Sequence, residues 1–403
     1  MPPRSGKNRA LGREADGTHG SGWDPGIQGP DRPGRAETGL DDFGDDGFRE
    51  GLEILVDSLN REAQLNALGA SALAERIVLH LKQRLEIEDW YRRHPEIEDE
   101  EIRAPLFGVS LPRTGSSALS YLLSSDPAIR YLRVWESSRP CPPPGTVEGP
   151  DPRRGVSAST ADENLKGGTR TPSGIDGAME CQDLMALDFK SQIFQAFARI
   201  PRYSDWLMQA DLNGTYAYHK RTLKLLQWRQ PSRPWRLKAP THMLYLDALV
   251  SAYPDARFVM THRDPSEVIL SVATVYADII GKFSDRLDHG YLGELNLRCW
   301  SEAMRRAIAF RDAGGDHRFH DIHFRAMLRD PIGEVRGLYD WLGEPVSPEF
   351  ARAMAVWWTS NENGERMAKP DPALFGLEPA AIRGHFGEYL ARMERWAPFD
   401  EAA

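Results

Sequence analysis

Residues 105–125, PLFGVSLPRTGSSALSYLLSS, indicate the architecture of the chain more directly than any other segment. It begins with a short apolar run, residues 105–111, which has the length of a buried strand. The turn that follows contains proline and glycine, and residues 116–125 then repeat apolar side chains at helical spacing. This order predicts a strand, a tight turn and a helix, the beginning of a parallel βα unit.

Similar βα units are predicted further along the chain. Their strands and helices are expected at residues 235–238 with 241–253, 256–262 with 265–276, and 318–324 with 331–342. Gly343 follows the last of these helices, as is typical of a helix end. Because strands that alternate with helices pair in parallel and need cover on both faces, the sequence predicts an α/β fold with a central parallel sheet flanked by helices.

Residues 47–403 are predicted to form one domain that contains this sheet, and residues 1–46 are predicted to be a tail outside it. Residues 1–46 carry almost no large apolar side chains, so we expect them to be disordered. Residues 47–100 have apolar positions at helical spacing and predict a helical N-terminal addition of two or three helices. Residues 139–177 are rich in Pro, Gly, Ser and Thr and predict a flexible insertion on the substrate side. Aromatic residues crowd residues 189–228, where they indicate either a lid over an apolar compound or ordinary core.

The composition argues against several classes of function. The 403 residues carry a formal net charge of −9, which does not favour a general affinity for nucleic acid or anionic membranes. Cys141, Cys181 and Cys299 are widely spaced and odd in number, which predicts reduced thiols in a cytoplasmic protein. The sequence contains neither a recognisable signal peptide nor an apolar run long enough for a membrane span, so we expect no integral membrane segment.

The turn at residues 112–117, PRTGSS, is the first candidate site. Between a buried strand and a helix, such a turn points backbone N–H groups and the positive helix end at one spot, where an anion can bind. The turn lacks the Walker pattern, because six residues separate Gly108 from Gly115 and Ser116 stands where that pattern has lysine. It therefore predicts a phosphate cradle without kinase chemistry. The alternative is an ordinary strand-to-helix connection.

The second candidate site is Arg263-Asp264-Pro265, with Ser271 eight residues after Arg263. Asp264 suits the N-cap of a helix and Pro265 suits its first position, so the alternative is simply a well-capped helix. Because this motif also follows a predicted strand, we expect Arg263 and Ser271 to reach the same carboxyl edge of the sheet as the cradle.

Both motifs resemble those of one enzyme family. Residues 107–123 resemble the 5′-phosphosulfate-binding loop of the sulfotransferases that use 3′-phosphoadenosine-5′-phosphosulfate (PAPS), and residues 256–271 resemble their 3′-phosphate-binding segment. Residues 235–242, WRLKAPTH, are similar to the bacterial branch of that family. The resemblance implies a P-loop-like sulfotransferase fold, and an enzyme that moves a sulfuryl group from PAPS to a hydroxyl acceptor and releases adenosine 3′,5′-bisphosphate.

The resemblance also implies roles for individual residues. The cofactor-binding residues would be Arg113, Thr114, Gly115, Ser116 and Ser117 at the 5′-phosphosulfate, and Arg263 and Ser271 at the 3′-phosphate. A guanidinium group contacts phosphate oxygens bidentately and keeps its charge, which suits this task. Lys238 and Arg113 are the expected stabilisers of the departing phosphate.

The acceptor hydroxyl must lose its proton, and two residues are candidates for the general base. Glu136 stands where several branches of the family carry a catalytic glutamate; alternatively it is a surface carboxylate or a partner of Arg139. His242 lies four residues beyond Lys238, near where the cytosolic branch carries its histidine; alternatively it is a locally satisfied helix residue. A role shared by the two residues is a further alternative.

No metal site is predicted. His317, His320 and His323 recur at every third residue, a spacing that does not keep them on one face of a strand.

Two other functions compete with sulfuryl transfer, namely a non-catalytic nucleotide-binding protein of the same fold and a P-loop kinase of small molecules. The acceptor is expected to be a small-molecule or lipid-like hydroxyl compound, and no nucleic acid partner is expected.

Overall fold

The computed structural model of the chain describes residues 31–155, 174–361 and 370–399. Its strands are β1 Leu106–Gly108, β2 Arg130–Tyr131, β3 Trp235–Lys238, β4 Arg257–His262 and β5 Phe319–His323. Within the described residues they form one parallel five-stranded sheet in the order β2-β3-β1-β4-β5. Leu106 of β1 is in register with Arg236 on one side and Arg257 on the other, so β1 lies at the centre of the sheet.

Helices surround this sheet. In the described part of the chain they are α1 Asp31–Thr38, α2 Phe48–Arg61, α3 Ala67–Arg93, α4 Ser116–Ser124, α5 Val134–Ser138, α6 Gln182–Ala186, α7 Ile193–Phe197, α8 Pro201–Gln209, α9 Asn213–Gln227, α10 Leu246–Ala252, α11 Pro265–Phe283, α12 His289–Phe310, α13 Phe324–Arg329, α14 Pro331–Leu342, α15 Pro348–Asn361, α16 Pro379–His385 and α17 Gly387–Trp396. The last predicted helix, 331–342, matches α14, and Gly343 ends it with φ of 75°.

The side chains of β1 and β4 alternate between two cores, one on each face of the sheet. Leu106 and Val259 pack with residues of α4, α14 and α15 on one face. Phe107 and Phe258 belong to the larger core on the opposite face, to which helices that include α2, α3, α9, α11 and α12 contribute. Because both faces are covered, the predicted α/β fold with a central parallel sheet flanked by helices is confirmed.

Residues 47–100, for which a helical N-terminal addition is predicted, contain the two long helices α2 and α3. The apolar side chains that define its pattern are all buried: Leu52, Leu55, Leu59, Leu73, Ile77, Leu81 and Leu85. α2 contacts α8, and α3 contacts α11. The addition therefore packs against the helical layer of the domain, and its apolar stripes supply part of the larger core.

The structure differs from the predicted disordered tail over residues 31–46. α1 packs along α3, and Phe43 is only 3% exposed. The buried Arg84 guanidinium group donates hydrogen bonds to the backbone carbonyls of Phe43 and Asp45. The low apolar content of this segment was misleading, because one phenylalanine and a distant arginine hold it in place. Residues 1–30 of the predicted tail, and residues 156–173 of the predicted flexible insertion, lie outside the described residues.

Two predicted helices have different boundaries in the structure. The helix expected at residues 241–253 is a 3₁₀ turn, Pro240–Leu244, followed by α10. Tyr245, with φ of −137° and ψ of 36°, interrupts the helical backbone between them. The helix expected to end near residue 276 continues as α11, because its later apolar side chains, down to Phe283, are also buried.

Most aromatic residues between 189 and 228 lie in the core, and Phe197 and Trp206 are partly buried against it. Phe194, Tyr203 and Tyr216 are fully buried. The rings of Phe194 and Phe189 stack with centroids 6.1 Å apart, and the edge of His80 packs against both. These side chains therefore support the core alternative over the predicted lid.

The buried histidines of this core predict a loss of stability in acid. Burial lowers the pKa of His80 and of His219 to about 3, whereas an unfolded histidine titrates near 6.5. Between these values the unfolded chain binds more protons than the folded chain, so the free energy of unfolding falls as the pH falls through this window. At pH 5 each histidine is expected to lower that free energy by ~2 kcal/mol.

Urea unfolding at pH 7.5 and at pH 5 measures this effect. His80→Leu replaces the imidazole by an apolar side chain of similar size and should reduce the difference between the two free energies by ~2 kcal/mol. His317→Gln, at an exposed position, should leave the difference unchanged. Equal acid sensitivity of the His80→Leu protein and the unchanged chain would mean that His80 does not resist protonation in the fold.

Candidate active site

The two predicted anion-binding motifs meet at the carboxyl edge of the sheet. The cradle follows β1, and Arg263 follows β4, the strand that pairs with β1. Arg113 Nε donates a hydrogen bond to Ser271 Oγ at 3.1 Å, and Arg263 Nη1 donates one to the backbone carbonyl of Arg113 at 2.9 Å. Residues separated by about 150 positions in the chain therefore form one connected group.

The cradle owes its shape to two left-handed backbone positions. Arg113 has φ of 64° and Gly115 has φ of 89°. The φ of Gly115 would strain any residue with a side chain, and a Cβ atom there would also lie 2.5 Å from Met327 Cε and 2.9 Å from Phe324 Cδ2, so glycine is strongly favoured at this position. α4 begins immediately afterwards, and the N–H groups of its first turn have no partners within the helix. This geometry suits an anion.

The Thr114 hydroxyl stabilises the cradle from inside. It donates to the backbone carbonyl of Leu111 at 2.8 Å and lies 2.6 Å from Thr261 Oγ1 on β4. The whole residue is buried. The resemblance implied that Thr114 binds the donor, but both contacts of its hydroxyl are internal, so in the structure this hydroxyl attaches the cradle to β4.

Lys238 connects the end of β3 to the cradle. Its Nζ atom donates to Ser117 Oγ at 3.0 Å and forms an ion pair with Glu180 Oε1 at 2.7 Å. The side chain of Lys238 is 8% exposed, whereas that of Glu180 is 33% exposed. Ser117 lies exposed in the first turn of α4, and Ser116 beside it is buried. The structure thus brings Lys238 next to the predicted phosphosulfate loop.

Two guanidinium groups lie close together at this edge. Burial, and after it the positive charge of Arg263, lower the pKa of Arg113 below its usual value. Arg263 itself contacts the carboxylate of Glu267 through Nε at 2.9 Å and Nη2 at 2.5 Å. Its guanidinium carbon lies 4.5 Å from the centroid of the Phe324 ring. Because the two like charges repel each other, an anion bound between them is favoured.

Glu136, the first predicted general base, lies in a buried ion pair. Its carboxylate is 0% exposed and accepts hydrogen bonds from Arg130 Nη2 at 2.8 Å, Arg133 Nη1 at 3.3 Å and the Arg133 backbone N–H at 3.1 Å. The arginine partners differ from the Arg139 considered from the sequence. This geometry favours a structural role, because the carboxylate is buried and its oxygens already accept three hydrogen bonds, so an acceptor hydroxyl could not reach them.

His242, the second predicted base, is buried in the core behind β1. Its Nδ1 atom shares a hydrogen bond of 2.8 Å with Tyr216 Oη, and its ring packs edge-on against Phe107. Burial, and then the nearby His219, lower the pKa of His242 well below its usual value. The imidazole is therefore neutral, but it is 0% exposed, so the geometry does not favour contact with an acceptor.

Glu180, which the sequence did not single out, lies beside Lys238. The backbone N–H of Met179 donates to the carbonyl of Leu132 at 2.8 Å, and that of Cys181 donates to the carbonyl of Lys238 at 2.9 Å. These bonds hold Glu180 against the end of β3. No local pattern indicated this position, because Glu180 follows the predicted insertion and is 58 residues from its partner Lys238.

The remaining predictions concern metals and membranes. Across the part of the chain that the structure describes, no group of three or more His, Cys, Asp or Glu side chains is arranged to hold a metal ion. His317 contacts the carbonyl of Gly314, and His323 caps α13. Among the same described residues, the helices include none with both the length and the apolar character that crossing a membrane requires.

The fold places this chain among the α/β proteins in which a turn with glycine joins a central parallel strand to a helix. Comparison with known families is more specific. The model of the sulfotransferase family matches residues 105–348, more than half of the chain, and the chain belongs to this family. This match confirms the predicted sulfotransferase family. The mycobacterial relatives and structures described next confirm the predicted bacterial type and the predicted sulfotransferase fold.

Similar proteins come from mycobacteria. The crystal structure of sulfotransferase STF9 from Mycobacterium avium superposes with a TM-score of 0.82 at 30% identity and covers 90% of this chain and 95% of that one. Sulfotransferase STF1 from Mycobacterium tuberculosis gives 0.78 at 28% identity, over 89% and 97% of the two chains. Omega-hydroxy-beta-dihydromenaquinone-9 sulfotransferase Stf3 of Mycobacterium bovis is 23% identical over 163 residues, and this match covers 39% of the present chain and 40% of Stf3.

Proposed function

We propose that this protein transfers a sulfuryl group from PAPS to a hydroxyl acceptor and releases adenosine 3′,5′-bisphosphate. The observation that carries the proposal is the connection of Arg113, Arg263 and Ser271 across two neighbouring strand ends. A ligand with anionic groups at both ends of one nucleoside would engage both motifs, because both lie at the same edge of the sheet. PAPS is such a ligand, and ATP lacks the 3′-phosphate.

In this proposal the backbone N–H groups of the cradle and the hydroxyls of Ser116 and Ser117 bind the 5′-phosphosulfate. Arg263 and Ser271 bind the 3′-phosphate, and Arg113 lies between the two anionic ends. Arg263 would exchange its contact with Glu267 for the phosphate, which offers more charge and more acceptor oxygens. Thr114 contributes through its backbone, since its hydroxyl is occupied.

The transfer itself resembles phosphoryl transfer, with the attacking and departing oxygens in line through sulfur. Negative charge builds up on the departing phosphate oxygen, so a cation close to that oxygen lowers the barrier. Lys238 is suited to this task because its ammonium group already lies on the cradle at Ser117.

The acceptor is proposed to be a hydroxylated small molecule or lipid-like compound. The name of the relative Stf3 specifies a hydroxylated dihydromenaquinone, which is a lipid-like molecule of this class. For the present chain we propose only this class of acceptor and not the dihydromenaquinone itself, because the match covers a minority of both proteins.

Binding and transfer experiments test the proposal. The thermal midpoint should rise with adenosine 3′,5′-bisphosphate and with PAPS, by an amount that corresponds to about 2.7 kcal/mol at a hundred times the dissociation constant, and less with ATP and magnesium. Incubation with ³⁵S-labelled PAPS and farnesol, 2-naphthol or a lipid extract should give a labelled product. Binding of the bisphosphate without transfer would favour the non-catalytic alternative. Preference for ATP and transfer of its terminal phosphate would favour the kinase.

A further inference from the structure

Glu180 has the position and the exposure that a general base requires. Its carboxylate lies 2.7 Å from Lys238 Nζ, and that ammonium group lies 3.0 Å from Ser117 Oγ in the first turn of α4. One hydrogen-bonded side chain therefore separates the carboxylate from the cradle. The side chain is about one-third exposed, so a molecule from solvent can reach it.

The backbone on both sides of Glu180 is hydrogen-bonded to neighbouring segments. Ala178 forms an antiparallel bridge with Arg133, and the N–H of Met179 bonds to the carbonyl of Leu132. Cys181 is fully buried and its N–H bonds to the carbonyl of Lys238 at 2.9 Å. Glu180 thus lies on a segment attached to the sheet, as precise placement of a catalytic group requires.

Other carboxylates near the site are less suitable. The carboxylate of Glu136 is fully buried and accepts three hydrogen bonds. Glu267 contacts Arg263, on the side of the predicted 3′-phosphate. Glu344 forms an ion pair with Arg236, two residues before Lys238 on β3, and lies after α14. Among these, Glu180 combines exposure with direct contact to the lysine that is proposed to meet the departing oxygen.

We propose that Glu180 is the general base of the reaction, an inference that rests on the proposed function. When the acceptor binds, its hydroxyl proton moves to a carboxylate oxygen of Glu180. The acceptor oxygen forms a bond to sulfur, the bond between sulfur and the phosphate oxygen breaks, and the electron pair remains on adenosine 3′,5′-bisphosphate. The Lys238 ammonium group then donates a hydrogen bond to that phosphate oxygen. The Glu180 carboxylate gives up its hydrogen bond from Lys238 and accepts one from the acceptor hydroxyl instead.

The test compares Glu180→Gln and Glu180→Asp with a matched control, Glu37→Gln. Glu37 also pairs with a lysine, Lys82, at 2.7 Å, but it lies on α1 and contacts α3. Glutamine keeps the size and a hydrogen-bonding oxygen of Glu180 but cannot take the proton. Glu180→Gln should lower kcat about 100-fold, Glu180→Asp should recover part of this loss, and Glu37→Gln should match the unchanged chain.

Two further readouts separate a base from a residue that merely positions Lys238. Calorimetry should show that Glu180→Gln binds adenosine 3′,5′-bisphosphate within about threefold of the unchanged affinity. The pH profile of kcat should lose its acidic limb in this variant. A variant that keeps full turnover, or that loses bisphosphate affinity as much as turnover, would overturn the assignment to Glu180 alone. If the unchanged chain binds no bisphosphate and transfers no sulfuryl group, the proposed function and this inference both fail.

Discussion

Replacement of Arg263 by alanine is expected to weaken the binding of adenosine 3′,5′-bisphosphate about a thousandfold, which corresponds to ~4 kcal/mol. The guanidinium group is the charged partner proposed for the 3′-phosphate, and it also donates to the carbonyl of Arg113 in the cradle. Its loss would leave the phosphate without its cation and the Glu267 carboxylate without its partner, so the phosphate would face a negative charge.

Calorimetry with two ligands isolates this effect. Adenosine 5′-monophosphate lacks the 3′-phosphate, so its affinity should change much less, and the Arg263→Ala protein should hardly distinguish the two nucleotides. Arg61→Ala is a suitable control because Arg61 forms a surface ion pair with Asp57 at the same spacing of four residues. Unchanged affinity for the bisphosphate in the Arg263→Ala protein would place the 3′-phosphate elsewhere.

Replacement of Lys238 by methionine is expected to lower kcat about a thousandfold. Methionine fills nearly the same space but carries no charge, so negative charge on the departing oxygen would lose its stabilising cation. Because this charge develops mainly in the transition state, the affinity for the bisphosphate should fall by no more than about tenfold. Single-turnover measurements with saturating ³⁵S-labelled PAPS report the chemical step directly.

The control for this substitution is Lys82→Met, which removes a lysine paired with Glu37 and should leave turnover unchanged. Lys238→Arg should retain part of the activity, because it keeps the charge but changes the geometry of the donors. If Lys238→Met loses bisphosphate affinity in proportion to turnover, Lys238 binds the nucleotide in the ground state and does not act mainly on the transition state.

The sequence predicted that the two candidate anion-binding motifs lie at one edge of the sheet because its signals are local. The turn between residues 111 and 116 needs glycine at Gly115, and the helix after Arg263 needs a capping Asp264 followed by proline. Such requirements lie within a few residues of each other, and the alternation of strands and helices then places both turns at one edge. The contacts of Arg113 with Ser271 and of Arg263 with the cradle agree with this prediction.

The candidate bases could not be chosen in this way. Glu136 and His242 matched positions in a resembling family, but their burial depends on Arg130, Tyr216 and other partners from distant segments. Glu180 acquires its position only through hydrogen bonds to two separate parts of the sheet. The spacing of residues within one segment of sequence does not predict whether a carboxylate is exposed or is enclosed by arginine side chains.

The parallel α/β architecture and the two candidate motifs could therefore be inferred from the amino-acid sequence, since apolar periodicity and turn chemistry act over a few residues. The folded chain was needed to show which carboxylate is exposed beside Lys238, which is enclosed, and that residues 31–46 are packed. Exposure, ion pairing and the ordering of a polar segment depend on neighbours that folding brings together, across separations that no local pattern encodes.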